Sequence, residues 1–114
     1  MVEVTVERDA GGAITGFSAA GHAGAGPMGS DVVCAAVSAL VQTAALGLQE
    51  RVGAPAGVEA AGGLFTCRLG PGLPAEARAR AQDILETMCL GLREIEAQEP
   101  RRLRLRSVRA PAGT

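Results

Sequence analysis

A chain of 114 residues with 47% hydrophobic and 20% charged residues has the size and composition of one globular domain with a single core. Its net charge of −1 argues against a protein whose main work is gripping phosphate backbones. The only two aromatic residues, Phe17 and Phe65, argue against a base-stacking platform.

Val2, Val4 and Val6 alternate with Glu3, Thr5 and Glu7, the pattern of a strand with one apolar face rather than a secretory signal. Residues 9–12 form a turn, and residues 13–20 a returning strand whose larger apolar groups are Ile14 and Phe17. A glycine-rich loop follows. From residue 31 to about 51 there is no proline and one glycine, and alanine, leucine and valine dominate, which predicts a well-buried helix. No apolar run free of polar groups reaches the ~18–20 residues of a membrane span. Residues 53–57 break the helix. Residues 58–60 and 64–69 read as a hairpin around Gly62 and Gly63. Pro74 suits the first turn of a second helix running to about Gln98, with Ala77, Ala81, Ile84, Met88, Leu92 and Ile95 on one stripe. Pro100 stops it. Arg102, Arg104 and Arg106 then alternate with Leu103 and Leu105 in a last strand, most simply a solvated face, and residues 110–114 read as a flexible C-terminal tail. The order β-β-α-β-β-α-β predicts a two-layer α+β sandwich. Both helices pack on one face of a five-stranded, mostly antiparallel sheet, and residues 1–109 form a single domain.

The loop between the second strand and the first helix carries the chemistry. It holds the only histidine, His22, and leads to Cys34. A cysteine is a good nucleophile as thiolate, and an imidazole and a helix N-terminus both favour that form. On a wheel at ~100° per residue, Asp31, Cys34, Ser38, Gln42 and Gln49 share one polar stripe opposite Val33, Val37, Leu40, Val41, Ala44 and Leu48. Cys34 thus falls on the polar edge of the helix and off its apolar face. Ser30 or Asp31 is the natural N-cap, which puts Cys34 in the first turn, where free amides also suit an oxyanion. Asp31 caps the helix at the least, and it is also in a position to orient His22. The intervening loop, with Gly24, Ala25, Gly26, Pro27, Met28 and Gly29, is placed to act as a mobile substrate-binding lid. Cys67 and Cys89 have no polar partner at strand or helix spacing and read as structural. Three cysteines at unrelated spacings show neither a disulfide framework nor the paired spacing of a zinc site, which points to a reducing cytoplasm and no metal.

Gly21-His22-Ala23, Gly26, Gly29 and the run from Asp31 through Cys34 and Ser38 to Ala39 resemble the signature of the ribosomal-processing cysteine protease family, Prp. The resemblance runs along the whole chain. It implies that His22 and Cys34 are a catalytic dyad and that Asp31 and Ser38 are linked to the site. The implied substrate is the N-terminal extension of large-subunit ribosomal protein number twenty-seven. The implied assembly is a homodimer, and no cofactor is required. The expected protein is a cytoplasmic endopeptidase, without membrane or direct nucleic-acid binding. Its rivals are a non-catalytic ribosome-associated binding module that uses the arginine strand, and a redox thiol protein with a resolving cysteine near Cys34.

Overall fold

The computed structural model describes residues 1–21 and 28–110, and of residues 28–31 the backbone alone. Its first strand, β1 (Val2–Arg8), follows the alternation: Val2, Val4 and Val6 are buried and Glu3 is exposed. The Asp9 carboxylate shapes the next turn by accepting from the amides of Gly11 and Ala13. β2 (Ile14–Ala20) returns antiparallel, with a register shift: Glu7 opposes Gly16, but Arg8 opposes Ile14. Thr15 is therefore the extra residue of a β-bulge. The bulge explains how Ile14 and Phe17, three residues apart, are both buried, since strict alternation would put them on opposite faces.

Helix α1 (Met28–Gly47) runs into one π turn over Leu48–Val52, closed by Gly53 in the left-handed region at φ 70°. The regular helix thus ends before the expected residue 51. β3 (Ala56–Ala61) and β4 (Leu64–Leu69) form the expected hairpin, and positive φ at both Gly62 and Gly63 matches a two-residue turn of the twisted kind. α2 (Ala75–Gln98) is preceded by Pro74 as its cap residue, one position before the first turn. β5 (Leu103–Arg109) completes a sheet of order β3-β4-β2-β1-β5, antiparallel throughout except where β5 lies parallel to β1.

The inward residues Val4, Val6, Phe17 and Cys67 share one cluster with Val37, Val41, Leu85, Met88 and Leu92, so both helices cover the same face. Glu7 on β1 and Arg68 on β4 pair at 2.9 Å on the other face, reaching across β2 at Gly16. The buried side of α2 is broader than the predicted stripe: Leu85 and Cys89 join Ala81, Met88 and Leu92, while Ala77, Ile84 and Ile95 are half-buried. The helices meet at glycines. A Cβ on Gly91 would lie 3.0 Å from Leu40, and one on Gly47 would lie 3.2 Å from Ile84.

Polar side chains then pin α2 to the sheet. Gln82 accepts from the Ile14 amide and donates to the Ile14 carbonyl, both at 2.8 Å, which fixes the strand at its bulge. Arg8 donates to both oxygens of Glu86, and Glu96 accepts from the Leu105 amide on the outer strand. Residues 32–52 are long and apolar enough, at a mean hydropathy of 1.7, to cross a bilayer. Ser38, Gln42, Thr43, Gln49, Glu50 and Arg51 interrupt that run, and only one side of it, with Val33, Val37, Val41, Ala44 and Leu48, is buried in the core. Of the expected tail, Ala110 is tied down by its amide donating to the Arg8 carbonyl, and residues 111–114 lie outside the described residues.

Candidate active site

β2 ends where Ala20 opposes Leu64, the first residue of β4. Gly21 then turns the chain out of the sheet at φ 89°, and a Cβ there would collide with the Met1 carbonyl oxygen. The glycine before His22 is thus required by both backbone angle and close approach. His22 itself, with Gly24, Ala25, Gly26 and Pro27, lies outside the described residues.

α1 is already helical at Met28. Met28 and Gly29, assigned above to the lid, therefore belong to the helix, and Ser30 and Asp31 sit inside its first turn rather than capping it. Cys34 consequently stands in the second turn, not the first. The sequence held the signal: a proline fits at or just before a helix start, so Pro27 marks the boundary better than the Ser-Asp pair. With α1 beginning at Met28, the amides of residues 28–30 have no partner within the helix, and the Cys34 amide bonds within it. Helical side chains lean back over the preceding turn, so the Cys34 side chain leans towards the first turn of α1.

Cys34 is half-buried and packs against the edge of the core; it borders the apolar cluster rather than standing clear of it. One turn on, Ser38 is half-buried, and Gln42 and Gln49 are exposed, as the wheel required. The other two thiols differ. Cys67 and Cys89 are each 1% exposed. Burial pushes the Cys67 thiol up to about 11, and burial, with the nearby Glu86 charge, also raises Cys89. Both stay protonated and enclosed, consistent with their structural reading.

Beside the polar edge of α1 the structure opens a groove that sequence reasoning missed. It has a volume of about 320 Å³ and lies between Ser38, Val41 and Gln42 on the helix and Ala60, Gly63 and Phe65 on the hairpin. Ala60 opposes Phe65 across β3 and β4, and Phe65 opposes Ala19 on β2. The Phe65 ring stacks on Phe17, with centroids 6.1 Å apart. Only the small residues at the hairpin turn hinted at such an opening. The end of β2, the hairpin turn and the middle of α1 thus meet around the groove. The arginine ladder lies elsewhere: Arg102 precedes β5 and pairs with Glu99 at 2.8 Å, while Arg104 and Arg106 are exposed. Among the described residues no group of three His, Cys, Asp or Glu side chains could hold a metal ion.

The family model described as Cysteine protease Prp matches residues 1–104. The ribosomal processing cysteine protease Prp of Bacillus subtilis is 33% identical over 111 residues, covering 92% of this chain and 96% of that protein. Among solved structures, Prp from S. aureus in complex with a substrate peptide is similar with a TM-score of 0.84 at 26% identity, over 95% of this chain and all of that one. The same protease with a covalently linked product peptide matches with a TM-score of 0.80 at 27% identity and the same coverage. SMU.848 from Streptococcus mutans shares the fold, with a TM-score of 0.83 at 22% identity and 96% of each chain covered. A match that extends from β1 into β5, through both helices and the edge that presents Cys34, means that this chain belongs to the Prp family of cysteine proteases.

Proposed function

We propose that this cysteine protease removes the N-terminal extension of large-subunit ribosomal protein number twenty-seven, with His22 and Cys34 as its catalytic dyad. One observation carries the assignment of the nucleophile: of three free cysteines, Cys34 alone is not buried, and it stands one turn from the groove. The ribosomal substrate is supported by the name of the Bacillus subtilis relative and by the family signature around His22 and Cys34.

In this reading His22 takes the Cys34 proton, and the sulfur attacks the scissile carbonyl to form a C–S bond. The first-turn amides of α1 hold the oxyanion. As the intermediate collapses, the C–N bond breaks and His22 hands its proton to the leaving amine. Water, deprotonated by His22, then attacks the thioester, and the thiol is released with the acid product. Asp31 and Ser38 support the dyad, and no cofactor takes part. The enzyme works in the cytoplasm, in keeping with three unpaired thiols. It works as a homodimer, in keeping with the exposed Val32, Leu46 and Leu90 on its helices.

Cleavage of an extension-bearing ribosomal peptide by the purified protein tests the proposal. Cys34→Ala is expected to lower turnover by about 10⁴-fold or more, and His22→Ala nearly as much, with little further loss in the double variant. Asp31→Asn is expected to fall between these and the parent. Substantial residual cleavage by Cys34→Ala would overturn the nucleophile. A binding module without catalysis would leave the peptide intact in every variant.

A further inference from the structure

The arginines near the end of the chain have no part in the protease reading. Residues 101–109 hold five of the eleven arginines and no carboxylate, so this segment carries +5. The rest of the chain, with six arginines and all twelve carboxylates, carries −6. The net charge of −1 thus conceals two segregated regions, and an expectation of no nucleic-acid contact that rests on the total misses the distribution. The tertiary structure sets the basic region along one rim. β5 is an outer strand of the sheet, at the opposite edge from β3 and so away from the hairpin beside the groove. Arg101, Arg104, Arg106 and Arg109 are exposed, and none of them forms an ion pair among the described residues. Arg102 does, with Glu99. Glu96 on α2 is occupied by the Leu105 amide, and Glu3 on β1 opposes Arg104 without pairing with it.

Backbone donors add to the row. The amides of Leu103 and Leu105 point away from β1, to the Glu99 carbonyl and the Glu96 carboxylate. By the alternation of a strand, the Ser107 and Arg109 amides point the same way, towards the open edge, and have no partner among the described residues. From Arg104 to Arg109 this row of donors extends over about 17 Å, at ~3.3 Å per residue. Leu103 is buried, and Leu105 and Val108 are half-buried, so the rim lacks the exposed apolar centre on which a protein partner would pack. We propose that the β5 rim, through Arg101, Arg104, Arg106 and Arg109, docks the protein on the phosphate backbone of RNA. Guanidinium forks and edge amides both suit phosphate oxygens. No aromatic side chain lies on the segment to stack a base, so the contact is independent of sequence. An edge strand held in a sheet does not enter a B-form major groove, whereas an RNA chain offers its phosphates without groove entry. The rim and the groove lie at opposite edges of the sheet, so docking leaves the groove open.

Fluorescence anisotropy of the full chain with a labelled single-stranded RNA of mixed sequence, about 20 nucleotides long, tests the rim without any protease substrate. Binding at about 50 mM salt is expected with a Kd of roughly 10⁻⁶ to 10⁻⁴ M. Four phosphate contacts at ~0.7 each give a slope of about −3 in log affinity against log salt. Arg104→Ala/Arg106→Ala is expected to weaken binding at least about tenfold and to reduce the slope by about 1.4. Arg78→Ala/Arg93→Ala, which removes the same charge from exposed positions of α2, is expected to weaken it by less than about threefold. Thermal melts establish that both variants fold. A parent Kd above about 10⁻³ M at 50 mM salt, or equal losses in the two double variants, would overturn the docking rim. An oligoglutamate of equal charge that binds as tightly as the RNA would reassign the rim to acidic protein segments. Duplex DNA that binds more tightly than the RNA would also overturn the choice of partner.

Discussion

Cys67 and Cys89 sit where the sheet and α2 close on one another, whereas Cys34 stands on the edge of α1 where that packing opens towards the groove. The side chains are identical. Cys67 has Phe17 and Val58 as cross-strand neighbours in the middle of the covered face, and Cys89 lies on the buried side of α2. Burial raises both thiols and makes them small hydrophobes. Cys34 keeps one side against the core and one side towards the surface, the combination that a nucleophile held in fixed geometry needs. Position on the backbone, more than residue type, separates chemistry from packing here.

The largest expected effect of that contrast is kinetic. At pH 8 a thiol titrating at about 11 is ionised to only about one part in a thousand, so Cys67 is starved of thiolate as well as access. Iodoacetamide at that pH, followed by peptide mapping, is expected to modify Cys34 alone in the folded protein and all three cysteines in urea. Comparable labelling of Cys67 or Cys89 in the native state would erase the distinction.

A smaller effect appears in alkaline stability. Cys67 keeps its proton in the folded state up to about 11, while in the unfolded chain it loses it near the ordinary value of 9.0. The folded state binds more protons between those values, so the stabilisation is complete below about pH 9 and is lost as pH rises towards 11. Urea unfolding at pH 8 and pH 10.5 is expected to show a loss of about 2 kcal/mol from Cys67, which Cys67→Ala removes. A stability that is flat across this range would show that the buried thiols are not held protonated by the fold.

The smallest effect is packing. Cys89→Ala removes a buried sulfur between the helical layer and the sheet and is expected to cost about 1 kcal/mol with protease activity retained. Cys34→Ala, half-exposed, is expected to stay within about 0.5 kcal/mol of the parent by thermal or urea melts, despite its loss of activity. Reversal of that order would move Cys34 from the site into the core.

Much of this arrangement was legible in the chain because it depends on local periodicity. The alternating valines, the glycine pair at the hairpin, the apolar run of α1 and the stripe of α2 each signal one element, and together they predict the layered α+β fold. The wheel separated Cys34, Ser38 and Gln42 from the buried valines of α1 correctly. The helix start was misplaced because serine and aspartate are good caps wherever they fall, and the sequence contains both a capping pair and a proline. The bulge at Thr15 was not visible, since the register of a strand depends on its partner as well as on its own pattern.

By itself, then, the order of residues determined which segments become helix and strand, which face of each is apolar, and which cysteine lies on a polar edge. These follow from spacing of 2 and 3.6 residues and from the backbone limits of glycine and proline. Only the tertiary structure decided that β5 lies beside β1, that Gly91 and Gly47 let the helices meet, and that Ala60 remains uncovered next to Ser38. Such features arise between elements distant in sequence. A groove is the space that two packed layers fail to fill, and no local pattern records how far a helix reaches across a sheet.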